Sequence, residues 1–510
     1  MDSAEIETAE GEDREESGRL WRRLWRLHFL SGFVIAPVLI WFAFTGLIVL
    51  YTDVIHEKFS GSEFTVDVGS SEVSLDVQLQ TILDQKPGYT FNAVTPGREP
   101  SRSNLFNMSD ADGGSREVFV DQYQGTIVGD RPSGKDLVAF ANNTHGSILP
   151  RQFTMPIPSL TGVFGEGPAF RTVEIGEVVV EIVAGWGLVL AVSGIYLWWP
   201  RRNSKKRKFI PRFARGGRPM WRDLHASGGT VLSVGLVFFV VTGLPWATFW
   251  GNEFQTVASK LTPNTENFWE YAGPSSVLPQ VGDLTRDGVR IPWASGTDTI
   301  PTSDGGNQHD HSGMDHSMEM PAPAPAALVG LETVYRAAQD EGMKPGFTIV
   351  PPVDSLDDEG STLYGAYTVV NPWPSSLGEQ GALYLDQFSA KTLGRSDVDT
   401  WGGLQRIAEF GVQTHMGTQF GLLNRIFLTL VCLLVIWSIF TAVVMWWRRR
   451  RPGSLGVPSR PVDRQTQKAV GITAVVLGII YPLWGMSAML LLGLDRVFST
   501  WRRRAHSPVG

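Results

Sequence analysis

Four of the nine histidines stand at related places in the chain, and together they suit redox chemistry. His28 and His225 each follow a leucine and precede a Thr-Gly pair by 17 residues, while His145 and His415 each follow a threonine. Histidine near a membrane span usually faces the protein interior or serves a function. Two imidazoles facing each other across a gap suit a bis-histidine haem, because the iron takes one axial nitrogen from each side. The sequence predicts one site at His28 and His225 and another at His145 and His415.

A plainer interpretation gives these histidines interfacial contacts with lipid headgroups or backbone, and the repeated arrangement argues against it. The second pair is less regular, because 26 residues separate His415 from Thr441 whereas 48 separate His145 from Ser193. The Pro- and Gly-rich stretch after His145 must therefore loop out if that ring is to reach the site. His56 is the alternative ligand here, although it has no equivalent in the repeat.

A second cluster of chemically active residues lies between the third apolar segment and the second predicted hairpin. It contains three histidines and three methionines within twelve residues and is followed by a Pro-Ala run: His309, His311, His316, Met314, Met318 and Met320. Imidazole and thioether together suit copper, as Cu(II) through nitrogen and Cu(I) through sulfur. The loop 305–320 is predicted to be a mobile tether that binds copper or another metal, and the alternative is a merely soluble, His-rich linker.

Long apolar segments must position these residues. A membrane-spanning helix needs roughly 20 mostly apolar residues, and four segments satisfy this: 28–51, 178–199, 226–250 and 420–447. Basic clusters beside them fall on one side if the spans alternate, which makes that side and the N-terminus cytoplasmic. The polar segments 52–177 and 251–410 are then extracytoplasmic. A fifth span, 469–492, carries Pro482 and either crosses or turns back.

Acidic residues and composition limit the remaining options. Glu174, Glu177 and Glu181 share one helical face at the start of the second span, which we interpret as a solvated helix entrance rather than a cation path.

The net charge is −7, and the acidic head 1–20 is expected to be a disordered tail without a cleavable signal. The single cysteine, Cys432, excludes an intrachain disulfide. No nicotinamide or flavin motif occurs, so the electron donor must be separate, and no nucleic-acid partner is expected.

An internal duplication is visible in the sequence. The spans share Leu-His starts and Thr-Gly, Ser-Gly or Thr-Ala pairs near their ends, which suit close helix packing. In the polar segments, Val118 to Gly129 parallels Ala382 to Gly394, and the alternating pattern predicts a β-hairpin in each. A helix-like run precedes each hairpin, at 73–83 and 328–338. The chain is thus predicted to be span, outer domain, span, twice, followed by a tail span.

These motifs together resemble the PepSY-associated transmembrane helix family. The resemblance rests on the Leu-His starts, the WWPRR and WWRRR stops and the paired VDQYQG and LDQF hairpins, and it covers residues 20 to 495. It implies small PepSY-type outer domains, each a helix on a short antiparallel sheet. It also implies a haem b protein of the bacterial plasma (inner) membrane that reduces ferric siderophores or similar complexes. Its electrons would come from a cytoplasmic donor or from quinol.

The sequence therefore predicts a polytopic α-helical membrane protein with four core spans, a fifth span and two extracytoplasmic α+β PepSY-like domains. The predicted division is 1–20 tail, 21–51 span, 52–177 domain, 178–200 span, 201–222 loop, 223–250 span, 251–410 domain, 411–447 span, 448–468 loop, 469–495 span and 496–510 tail. The predicted function is electron transfer through two bis-histidine b-type haems to an extracytoplasmic ferric siderophore or copper complex. The alternatives are a non-enzymatic ligand-binding or signalling membrane protein and a metal-uptake component.

Overall fold

The chain forms two compact units in a computed structural model. The membrane unit comprises Met1–Val49, Ala141–Glu253 and Ile426–Gly510, and the sheet unit comprises Leu50–Phe140 and Phe254–Arg425. For residues 3–19 the structure describes only the backbone. The described residues are 3–59, 61–159, 162, 169–199, 211, 213, 216–264, 279–287, 289–303, 327–357, 360–371, 374, 376–450, 456, 478, 481–491 and 493.

Four helices are long and apolar enough to cross a membrane, which confirms the four predicted core spans. In chain order they are Leu20–Leu50, Ile175–Trp198, Gly217–Trp246 and Gly421–Arg449, called here the first to fourth spans. The first span belongs to a longer helix that begins at Ser3. The acidic head predicted as disordered is therefore helical from Ser3, because its many Ala and Glu residues are strong helix formers.

Apolar side chains pack the spans of the membrane unit together. Ala43 of the first span, Leu232 of the third and Cys432 of the fourth share one core cluster. Small residues permit close contact: a Cβ at Gly235 would lie 2.7 Å from a methyl carbon of Val431. The cysteine is thus a buried packing residue.

The fifth apolar segment is described only in its second half, where a helix runs from Pro482 to Leu491. Proline at the first position of a helix loses no hydrogen bond, because that N–H has no partner inside the helix. Pro482 therefore stands at the first position of the described helix. Ten residues are too few to cross a bilayer, and most of the preceding part of the predicted span lies outside the described residues.

An eight-stranded antiparallel sheet is the centre of the sheet unit. The strands of this sheet are β1 Thr90–Thr95, β2 Asn104–Ser109, β3 Ser115–Asp121, β4 Thr126–Pro132, β7 Thr348–Val350, β10 Ala366–Asn371, β11 Gly381–Asp386 and β12 Thr392–Asp397. Their order across the sheet is β12-β11-β10-β7-β1-β2-β3-β4. Pairing of Val94 with Ile349 joins its two halves. The two polar segments, treated as two domains in the sequence, thus contribute to one sheet.

Two helices, Leu75–Gln85 and Leu331–Asp340, share a core with one face of this sheet. Their first turns cap each other, because Asp76 accepts the Leu331 N–H at 2.7 Å and Glu332 accepts the Leu75 N–H at 3.2 Å. Acidic side chains suit helix N-termini, where backbone N–H groups have no partner inside the helix. Both helices lie where the sequence predicts helical runs.

Both predicted hairpins are present, as β3–β4 and β11–β12. Each turn is held by the aspartate that ends its first strand. Asp121 accepts the Tyr123 N–H at 2.8 Å, and Asp386 accepts the Phe388 N–H at 3.0 Å. These side-chain bonds explain why both hairpins carry Asp-Gln at the same place.

Smaller elements position the remaining histidines. A hairpin of β5 Thr154–Pro158 and β6 Phe170–Glu174 projects from the chain between His145 and the second span. The described part of the Pro- and Gly-rich stretch thus forms one strand of a hairpin and buries Ile157 in a core cluster, while residues 160, 161 and 163–168 lie outside the described residues. His145 lies on helix Leu137–Gly146 and His415 on helix Gly403–Met416, so neither ring is carried by a span. The predicted span 411–447 accordingly begins later, at Gly421, because Gly417 adopts a left-handed conformation and ends the preceding helix.

Candidate functional site

Three histidines of the membrane unit share one arrangement, in which a hydroxyl near the end of a span meets the imidazole Nδ1. His28 lies 2.9 Å from Ser193 Oγ, and His145 lies 3.0 Å from Thr45 Oγ1. His225 lies 3.1 Å from Thr441 Oγ1 and 3.0 Å from the backbone oxygen of Ser438. All three rings are half-buried.

The hydroxyl hydrogens determine which ring nitrogen carries the proton. Ser193 donates its hydrogen to the backbone oxygen of Val189, and Thr45 and Thr441 likewise donate to backbone oxygens of the preceding turn. Each hydroxyl oxygen is then available to accept from the imidazole, which favours the tautomer with the hydrogen on Nδ1. For His225 the backbone oxygen of Ser438 can only accept, so Nδ1 carries the hydrogen there. The lone pair of each ring is then on Nε2, which is the tautomer that a metal ligand needs.

His28 and His225 face each other inside the membrane unit. Their ring centroids are 6.3 Å apart, and the ring planes are inclined by 78°. Two imidazoles on opposite sides of one metal ion, with bonds of about 2 Å and ring radii of about 1.1 Å, place their centroids about 6 Å apart. The donor set, the tautomers and the separation all suit two axial ligands of one iron.

Glycine beside two of the rings provides the space that they occupy. A Cβ built on Gly194 would lie 3.2 Å from Cε1 of His28, and one on Gly46 would lie 3.3 Å from Cε1 of His145. Such contacts are tight, so any side chain at these glycines pushes against the imidazole. Each hydroxyl–glycine pair therefore holds a ring from two directions.

The substitution Gly194→Ala is expected to weaken ligation at His28 without changing any ligand. The added methyl group forces the ring to shift, at a cost of about 1–3 kcal/mol for an overpacked site. The measurement is the rate at which excess apomyoglobin removes haem from the purified protein. Gly187→Ala in the same helix is the control, because its Cβ meets only Leu236 at 3.8 Å. Equal rates for the two variants would contradict the role of Gly194.

The remaining candidate residues are placed as follows. His415 is half-buried in the last turn of its helix in the sheet unit. His56, the alternative ligand, stacks on Phe64 at 4.7 Å, and its Nε2 lies 3.2 Å from Asp136. These two contacts hold the His56 ring against other residues of the sheet unit. The predicted pairing of His145 with His415 stays a prediction.

The histidine–methionine loop lies outside the described residues. This applies to its six predicted ligands, His309, His311, His316, Met314, Met318 and Met320. Within the described part of the chain, no group of three or more His, Cys, Asp or Glu side chains is arranged to hold a metal ion. The copper prediction for this loop therefore stays untested.

The hydroxyl residues beside the histidines are the functional feature that the sequence interpretation missed. Thr45-Gly46, Ser193-Gly194 and Thr441-Ala442 were assigned to close helix packing alone. The available signal was their repetition: a hydroxyl residue followed by a small one recurs near the end of each span, as the histidines recur near helix starts. Two repeated polar features in apolar helices are better interpreted together than separately.

The four apolar helices define a multi-pass membrane protein, and the chain also forms a large sheet unit. The chain belongs to the PepSY-associated TM region family, whose sequence model matches residues 25–449. No curated protein matches the chain significantly.

Proposed function

We propose that this protein carries electrons across a bacterial plasma membrane through b-type haem. The observation that supports the proposal most directly is the His28–His225 pair, with ring centroids 6.3 Å apart. Both rings hold their hydrogen on Nδ1, so both present Nε2 as a ligand. A bound haem supplies a one-electron iron couple whose potential depends on its axial ligands and their hydrogen bonds.

The residues around the pair orient it and adjust its basicity. Ser193 and Thr441 accept the Nδ1–H bonds, which prevents the rings from turning and makes the imidazoles stronger donors. Gly194 leaves room for His28. Because His28 is held by the second span and His225 by the fourth, the two halves of the site are built in the same way. This equivalence supports the proposed duplication.

The rest of the proposed path comes from the sequence and from the resemblance. A second haem held by His145 and His415 lies toward the outer face, with the N-terminus in the cytoplasm. The sheet unit, regarded as two PepSY-like halves, then lies outside and receives a ferric siderophore or copper complex as substrate. The tether 305–320 presents copper there. A cytoplasmic protein or a quinol donates the electrons.

The visible spectrum of the detergent-purified protein tests this proposal. We expect the oxidised protein to show the Soret band of low-spin haem and dithionite to produce sharp α and β bands. Pyridine haemochrome analysis is expected to give two b-type haems per chain. A colourless protein isolated from haem-replete cells would rule out the electron-transfer mechanism.

A further inference from the structure

A buried carboxylate in the second span takes no part in the haem site. Glu181 lies about 9 Å along its helix from Ile175, at 1.5 Å per residue, and its side chain is 1% exposed. Its Oε2 accepts the backbone N–H of Phe249 at 2.8 Å, beside the start of helix Trp250–Leu261. Glu181 is therefore not part of a solvated helix entrance, as the sequence suggested, because the chain around Phe249 covers it.

Aromatic side chains lie in the same part of the membrane unit as this carboxylate, where Trp186, Tyr481 and Trp484 share one buried core cluster. Trp186 and Trp484 have ring centroids 5.4 Å apart, and those of Trp250 and Tyr481 are 6.3 Å apart. The Tyr481 hydroxyl lies 3.4 Å from the backbone oxygen of Glu181 and donates to it. We call these five residues the Glu181 cluster. On the same short helix as Trp484, the side chains of Met486, Met489 and Leu490 are exposed and suit contact with lipid chains.

Three polar atoms of the cluster are buried and have no hydrogen-bond partner among the described residues. They are Glu181 Oε1, Trp250 Nε1 and Trp484 Nε1. Leaving one buried polar group unpaired costs about 1–3 kcal/mol. One acceptor and two donors beside tilted aromatic rings are polar groups of the kind that fix a ligand in a site lined by aromatic side chains.

We propose that the Glu181 cluster binds a membrane quinol and is a site where electrons enter the protein from the bilayer. In the predicted orientation the cluster lies toward the outer end of the second span, so electrons from a quinol pass from the bilayer to the outer face without a cytoplasmic donor. A quinol ring is flat and apolar, reaches the site from the bilayer, donates hydrogen bonds through O–H and, once oxidised, accepts them through C=O. The carboxylate oxygen of Glu181 can accept a hydrogen bond from a quinol O–H group, and the two indole N–H groups can donate to the quinone C=O groups. The inference rests on the proposed function, since the haem is the electron acceptor.

The reaction at this site balances as follows. Each quinol loses two electrons and two protons and becomes quinone. One O–H bond breaks at a time: the proton passes to Glu181 Oε1, and the electron reduces ferric haem iron. The ferric complex outside is the final one-electron oxidant, so one quinol supports the reduction of two such complexes.

The second span also offers a way out for the protons. Glu177 lies one turn nearer the helix start than Glu181, and Glu174 ends β6 directly before the helix; both are half-buried. Glu174 lies 3.7 Å from Arg151, whose side chain is 71% exposed. Protonatable groups thus continue from the buried carboxylate toward the polar end of the span.

Quinone binding and quinol oxidation are tested separately on the purified full-length protein. Calorimetric titration with a short-chain ubiquinone measures binding, and stopped-flow spectroscopy with its quinol measures haem reduction. Glu181→Gln keeps an oxygen for the Phe249 N–H but cannot take a proton. We expect this variant to bind quinone with an affinity within about threefold of the wild type and to react normally with dithionite. The rate of haem reduction by quinol is expected to fall about 100-fold or more, because loss of a general base costs about 10²–10⁴-fold in rate.

The indole donors provide the second test. Trp484→Phe keeps a ring but removes the donor, and quinone affinity is expected to fall about fivefold to tenfold, the effect of about 1–1.5 kcal/mol for one hydrogen bond. Trp447→Phe is the control, because Trp447 is 61% exposed at the end of the fourth span. Absence of quinone binding, equal affinities in both tryptophan variants, or full quinol activity in Glu181→Gln would each overturn the inference. The calorimetric titration needs no haem. It therefore still tests quinone binding at the Glu181 cluster if the protein proves to contain no haem.

Discussion

Replacing His28 or His225 by alanine is expected to remove one of two haems from the protein. In the proposed site each ring would supply one nitrogen to the iron, and the two centroids are 6.3 Å apart, so one ring cannot take the place of the other. Haem content and the reduced α band are expected to fall by about half in either variant, because the second proposed site keeps its own ligands. Transmembrane electron transfer is expected to fall below detection. The measurements are the haemochrome assay and reduction of an external ferric chelate by membrane vesicles.

The control for this pair is His56→Ala, which removes a histidine that stacks on Phe64 in the sheet unit. It is expected to keep both haems. Size-exclusion chromatography in detergent separates loss of haem from loss of fold. Full haem content in both His28→Ala and His225→Ala would contradict the assignment of this pair. Loss of one haem in His56→Ala would instead make His56 a ligand of the second proposed site in place of His145.

The membrane spans and hairpins were predictable because their signals are local. An uninterrupted apolar run must satisfy its own backbone inside a bilayer, so length and composition are sufficient to indicate a helix. The hairpins combine alternating apolar residues with an aspartate that holds the turn. The joining of the two halves through Val94 and Ile349 was not predictable, because 255 positions separate these strands and no local pattern selects the partner.

The candidate site was predictable in part for the same reason. Repetition in the sequence identifies His28 and His225 as an equivalent pair, but it does not show which neighbour binds Nδ1. Ser193 already has a bond to the backbone of its own helix, and only the packing of the second span against the first shows that its oxygen also accepts from His28. Burial of Glu181 is likewise a tertiary property, since it requires the chain at Phe249 to fold back over the second span.

A buried acid in the sheet unit should make the stability of that unit depend on pH. Glu409 lies on helix Gly403–Met416, is fully buried and accepts hydrogen bonds from the Gln380 side chain and from the Ala294 N–H. Burial raises the pKa of Glu409 to about 7, from an ordinary value of 4.5. The folded state therefore holds this proton more tightly than the unfolded state.

The sign of the effect follows from that difference. Below pH 4.5 the carboxyl is protonated in both states, and the sheet unit has its full stability. Between pH 4.5 and 7 the unfolded chain releases the proton first, so the free energy of unfolding falls by about 3 kcal/mol, at 1.36 kcal/mol for each pKa unit. Asp298, whose pKa burial raises to about 6, adds a smaller loss of the same sign.

The substitution Glu409→Gln is expected to remove most of this pH dependence. Glutamine resembles the protonated acid in shape and has no charge to bury, so the variant should unfold at a higher temperature than the wild type at pH 8 and at a similar temperature at pH 4.5. Tryptophan fluorescence follows the transition, because Trp293 and Trp401 lie buried in the same cluster as Ala408 and contribute to the signal of the chain's 18 tryptophans. Glu99→Gln, at an exposed position, is the control and should follow the wild type. If the wild type and Glu409→Gln lose stability equally from pH 4.5 to 8, the carboxylate is already charged in the fold, and its two hydrogen-bond donors outweigh its desolvation.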